Sequence, residues 1–149
     1  MPSRRRVTAL ENAAVRQLAL KALTRRAGSA ADAESLAAAA QRAYDDLARV
    51  SAPLIGQVGV DALTGRALYL AQRKYPWLVR TPEPGQWTGP FAQIAFCLER
   101  QPAAIAAEAA GTVLTTLTGL LIIFIGEPLT EGLLRKAWPD AFPGATIEN

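Results

Sequence analysis

Ala109-Ala110-Gly111-Thr112-Val113-Leu114-Thr115-Thr116-Leu117-Thr118-Gly119-Leu120-Leu121-Ile122-Ile123-Phe124-Ile125-Gly126 is a run of eighteen residues without a charge. That length is the threshold at which an apolar run becomes a transmembrane candidate. Its reading decides whether the chain is a soluble helical domain or a membrane protein. Three features favour a core helix. Ala109 to Thr118 holds four threonines and a glycine, so only Leu117 to Ile125 is strongly apolar. The flanks are Glu108 and Glu127, whereas membrane ends carry Lys, Arg, Trp or Tyr. Gly126-Glu127-Pro128, followed by Leu129, Leu133 and Ala137, starts a new amphipathic helix at once, with proline at a first-turn position that suits it.

The same segment carries a stripe of small residues, Ala103, Ala107, Gly111, Thr115 and Gly119, each four after the last. Residues four apart share a helix face, and small side chains let another backbone approach closely. The stripe therefore predicts that Gly119 stands against a second helix and that Gly119→Leu overpacks.

Working outward, composition makes helix the default. The chain has 149 residues, enough for one domain with its own core, and half are hydrophobic. Alanine, the best intrinsic helix former, is abundant. The expected fold is all-α, a compact bundle of five to six helices around a central, nearly uncharged buried helix. The expected organisation is a basic arm over 1–7, a single helical domain over 8–140 and a short loose tail over 141–149.

The element boundaries follow from caps and breakers. Thr8 and Glu11 form a capping box, so the first helix runs from Thr8 to about Arg26, before Gly28. The second starts near Ser29 or Ala31 and ends at Val50, with Ala33, Leu36, Ala40, Ala43, Leu47 and Val50 as its seam and Asp32 and Glu34 in its first turn. Ser51-Ala52-Pro53 breaks it, and Pro53 opens a short piece ending at Gly56. A third helix follows Gly59 and stops before Pro76. A long loop, Pro76 to Pro90, precedes a helix from Pro90 to Arg100, the uncharged helix over 103–125, and a last one from Pro128 to near Trp138.

The chain also echoes itself weakly. Leu54-Ile55-Gly56-Gln57, Leu63-Thr64, Leu68 and Tyr75-Pro76 resemble Phe124-Ile125-Gly126-Glu127, Leu129-Thr130, Leu133 and Trp138-Pro139. The offsets differ by four residues after the glycine and three before the proline, which together make two helical turns.

Chemistry is constrained mainly by what is missing. There is no histidine, which removes imidazole acid–base schemes, His-based triads and His-metal sites. Cys97 is the only cysteine and reads as a small buried hydrophobe. Glu127 and Glu131 share a face but suit a helix N-terminus better than an acid–base pair. Asp45 and Asp46 fall within reach of Arg42 and Arg49 as surface ion pairs. The glycines at 56, 59 and 65 lack the strand and Lys of a phosphate loop.

Two features point to recognition. Arg73, Lys74, Tyr75, Trp77, Arg80 and Trp87 interleave basic and aromatic residues along the loop, as a surface that stacks bases or grips a peptide does. Trp77, next to Leu78 and Val79, is expected to be buried, and Trp87 more exposed. Residues 1–26 hold seven basic residues and one acid, a charge of +6 on a body of −3. Arg4, Arg5 and Arg6 therefore offer contacts to an anionic partner: nucleic acid, anionic lipid or the acidic body of a second subunit.

The resulting expectation is a non-enzymatic regulatory or protein-interaction module, homo-oligomeric and cytoplasmic, since no secretory signal precedes it. It needs no cofactor or metal and indicates no small-molecule substrate. Two alternatives stand beside it: a small membrane-associated protein spanning with helix 103–125, and a nucleic-acid-binding adaptor using the basic arm.

Overall fold

The computed structural model of the chain describes residues 12–28, 32–78 and 90–142. Arg4, Arg5, Arg6, the Thr8–Glu11 cap, Arg80 and Trp87 lie outside them. The elements are α1 (Asn12–Ala27), α2 (Ala33–Gln72), α3 (Pro90–Glu99), α4 (Ala103–Ile125), α5 (Glu127–Ala137) and a 3-10 turn at Pro139–Ala141. The described residues contain no strand, and the fold is a compact all-α bundle.

Alanine-rich segments form these helices at little entropic cost. They also pack thinly. Ala19, Ala22, Ala37, Ala40, Ala43, Ala67, Ala106, Ala109 and Ala110 are each fully buried. Larger side chains fill between them: Leu23, Leu47, Phe91, Leu98, Leu114, Leu134 and Trp138. Each fully buried large aliphatic or aromatic residue contributes about 1.5–3 kcal/mol by leaving water.

The boundary expected at Ser51-Ala52-Pro53 is not a break. α2 continues helically through Pro53 to Ile55, bends at Gly56 and resumes at Gln57, not after Gly59. Pro53 is tolerated because it lies on an exposed side of the helix. Arg49, four residues back, whose carbonyl loses its helical donor to the proline, is likewise an exposed residue. The reversal falls on Gly56 because its backbone, φ 84° and ψ 154°, belongs to a region almost closed to other residues. The bend is sharp. Tyr44 and Thr64 share a hydrogen bond of 3.0 Å, whereas a straight helix would hold residues twenty apart about 30 Å apart. α2 is thus a hairpin with a first limb over 33–55 and a second limb over 57–72.

α4 and α5 repeat the device. Gly126 joins them with φ 94° and ψ 160°, nearly the backbone of Gly56. The weak sequence echo has matching structural roles. Thr64 and Thr130 are both buried and both donate to backbone carbonyls, Val60 O and Gly126 O, at 2.8 Å. Tyr75 and Trp138 close the two units as buried aromatics. The offset from the glycine is four residues at the threonines, about one turn, and seven at the closing aromatics, about two turns.

α2 starts at Ala33, slightly later than expected, with Asp32 as its N-cap. The Asp32 carboxylate accepts from the Ser35 N–H at 2.8 Å, which holds its carboxyl below the ordinary 3.8.

α4 is the central helix, in contact with α1, α2, α3 and α5. Its burial is less complete than expected. Ala106 through Leu121 supply the inner face, but Ile123 and Phe124 are 82% and 60% exposed: Ile123 lies on the outer side of the helix, and Phe124, on the inner side, extends past the α2 side chains that cover Leu117 and Leu121. The small-residue stripe is also only partly right. A Cβ on Gly111 would lie 2.9 Å from Leu20 Cδ2 of α1, a true close approach. A Cβ on Gly119 would meet nothing within 4 Å, so Gly119 faces open space.

Trp138 is the keystone that periodicity does not single out. It is fully buried and its indole N–H donates to Ala43 O at 3.0 Å. Packing continues past residue 140: Ala141 and Phe142 are buried, and the Arg135 guanidinium lies 4.4 Å from the Phe142 ring centre. Arg26 ties three helices. From α1 it donates to Asp46 of α2 at 2.8 Å and to Ala137 O of α5 at 3.0 Å.

Candidate interaction surface

The basic-aromatic segment after α2 divides. Arg73 and Lys74 are exposed. Tyr75 is turned inward, 6% exposed. Its hydroxyl donates to Glu108 Oε2 at 2.8 Å and lies 3.4 Å from Thr112 Oγ1. Lys74 Nζ is 3.5 Å from the same carboxylate. The Tyr75 hydrogen bond, with help from the Lys74 charge, outweighs the opposing effect of desolvation and holds the Glu108 carboxyl below its ordinary range. Trp77 is half-buried and tilted against Tyr75, with ring centres 5.7 Å apart. Leu78 is 1% exposed, and its carbonyl accepts from the Gln72 side chain. In the described part, these residues clamp the end of α2 to α4. The structure does not bring Arg80, Trp87 or the arginine arm to this place, since they lie outside the described residues.

A different surface emerges at the opposite end of the α2 hairpin. Ile55, Val60 and Leu63 line a small cleft with Leu117 and Leu121. This contact sets the Gly56 bend beside the C-terminal end of α4, so both glycine bends lie at one end of the bundle. Leu54 and Val58 flank the first bend, and Ile123, Phe124 and Leu129 flank the second. Their exposures are 48%, 83%, 82%, 60% and 53%. The two tight bends explain the exposure: side chains on the outer side of a reversing chain have no neighbour to bury against. The sequence signal for this patch is the echo itself, since the apolar residues immediately before each glycine are among its matched positions.

Two open clefts flank α1. One, of about 660 Å³, is lined by Ala13, Arg16, Thr115, Gly119 and Ile123. The other, of about 580 Å³, is lined by Gln17, Lys21, Glu131, Arg135 and Phe142. In the second, Glu131 is paired with Arg135 at 3.0 Å. Asp46 is likewise paired, with Arg26 and Arg49 at 2.8 and 2.9 Å. Among the described residues no three His, Cys, Asp or Glu side chains gather to hold a metal ion. Cys97 is buried. Burial pushes the Tyr44 phenol above its ordinary value, and its hydroxyl is engaged by Thr64.

Comparisons with protein-family models, curated proteins and solved structures returned no match.

Proposed function

We propose that this protein is a non-enzymatic interaction module that self-associates and offers the hinge end of its bundle to a protein partner. The observation that carries the reading is the group of exposed large apolar residues, Leu54, Val58, Ile123, Phe124 and Leu129, collected at that end. Large apolar side chains left exposed together on one end of a fold are the surface that a partner protein buries. The charged residues next to it in the chain are acidic. Glu127 follows Gly126 directly and Asp61 lies one turn beyond Val58. Acid at the rim repels an anionic bilayer and favours a protein occupant. α4 is apolar and long enough to cross a membrane, but its inner face is already packed against the rest of the bundle.

The test combines sedimentation with substitution. The protein should stay in a detergent-free supernatant and should not pellet with phosphatidylglycerol-containing vesicles. Its mean mass should rise with concentration. The double variant Ile123→Ser/Phe124→Ser should keep parental helicity and melting, because neither side chain supports the core. Vesicle binding by the parent, or unfolding of the double variant, would sink the reading.

A further inference from the structure

We infer that the outward face of the second limb of α2 is the seam of a parallel two-fold dimer, with Asp61 of each copy facing Arg66 of the other. This rests on the reading of the chain as self-associating and names the surface responsible. The inner face of this limb, Val60, Thr64, Ala67, Leu68 and Ala71, is buried in the bundle. Its outer face carries Val58, Ala62, Gly65 and Tyr69, all exposed, with Val58 at 83% and Tyr69 at 55%. Their spacing of four, three and four is that of the core positions of a two-helix seam. A Cβ on Gly65 would meet nothing within 4 Å, so the middle of the strip is open to a second backbone. Two small residues in the middle with larger ones at each end allow close approach and seal the ends.

The flanking charges choose the partner and its direction. At 100° per residue Asp61 lies on one edge of the strip and Arg66 on the other. Neither has an ion pair among the described residues. Asp61 accepts only the Gln57 side-chain amide, at 2.9 Å, and Arg66 lies over its own Tyr69 ring at 5.5 Å. An acid five residues before a base, on opposite edges, is the relation that pairs helices across a parallel seam. A parallel two-fold axis sets each Asp61 beside the other copy's Arg66. An antiparallel axis sets Asp61 beside Asp61 and Arg66 beside Arg66. Charge complementarity therefore selects a second copy in parallel. That arrangement also points both hinge ends the same way; Val58 is taken up by the seam, and Leu54, Ile123, Phe124 and Leu129 of each copy are left facing one partner.

The experiment is sedimentation equilibrium of the full chain and of three variants, Asp61→Arg, Arg66→Asp and the double exchange. Their folding is checked by circular dichroism. Each single reversal should weaken the dimer roughly tenfold or more, since symmetry alters two exposed pairs together. The double exchange should restore it to within a few-fold. A second measurement fixes direction: Ala62→Cys should form an intermolecular disulfide under mild oxidation, because a parallel seam sets residue 62 beside its own copy. A parent that is monomeric up to about 100 µM overturns both the self-association reading and the seam. A dimer indifferent to both reversals overturns the seam alone. Weakening without rescue, or an Ala62→Cys variant that forms no cross-link, overturns the parallel pairing.

Discussion

Replacing Gly56 with alanine isolates the cost of the bend. The added Cβ would meet no atom within 4 Å, so crowding contributes nothing. The penalty is all in the backbone: φ 84° with ψ 154° is a conformation that an alanine adopts at a cost of about 1–3 kcal/mol. For a domain of this size each 1 kcal/mol moves the melting temperature by roughly 2–4 °C. Gly56→Ala should therefore lower the midpoint by about 2–12 °C while leaving the helical signal intact. Gly119→Ala supplies the control. It too has open space around the new Cβ, but it sits in the regular helix α4, where alanine gains about 1 kcal/mol over glycine. It should melt roughly 2–4 °C higher. If Gly56→Ala melts with or above the parent by differential scanning calorimetry, α2 does not reverse at this residue in this conformation.

Three further outcomes follow from the packing. Gly111→Leu should cost about 1–3 kcal/mol in chemical denaturation, because Leu20 already stands where its Cβ would go; Gly119→Leu should be tolerated. Trp138→Phe should lose about 1 kcal/mol with the indole bond to Ala43 O, and Trp138→Ala about 3–5 kcal/mol. Burial alone would raise the Asp46 carboxyl, but hydrogen bonds from Arg26 and Arg49 outweigh it and hold it below 3.8. A depressed carboxyl stabilises the fold above its unfolded value and loses that contribution as pH falls through the folded one. The stability gap between the parent and Asp46→Asn should thus be constant above about pH 5 and shrink below it, read from urea midpoints across pH.

What can be read from the chain depends on punctuation. α3 and α4 are legible to within a residue because Pro90, Pro102 and Gly126-Glu127-Pro128 terminate helices by covalent geometry, whatever the tertiary contacts. The join within α2 is misleading in sequence because Pro53 is a breaker only where its missing bond is buried, and burial is not written locally. The partial exposure of α4 is hidden for a similar reason. Leu121 and Phe124 are both apolar and one turn apart on the inner side of α4, and only where the α2 cover ends decides that one is buried and the other bare. Gly111 and Gly119 sit on the same stripe, yet only the passage of Leu20 distinguishes them. On the candidate surface, Tyr75 reads as available and is in fact committed to Glu108. That pairing spans thirty-three residues, and nothing in the spacing of either segment announces it.

The alanine interior makes the fold's response to mutation lopsided. In a core of large side chains, truncation is the common injury. Here many interior positions have only one methyl to truncate, so shortening them to glycine costs that methyl and about 1 kcal/mol of helix propensity. Growth is the injury instead. A methylene added at Ala40 or Ala110 has no slack to enter and must push neighbouring helices apart along their length. Random substitution should therefore be filtered by volume rather than by polarity along these faces, with serine surviving where valine fails. A substitution scan that scored this protein by hydrophobicity alone would rank its interior upside down.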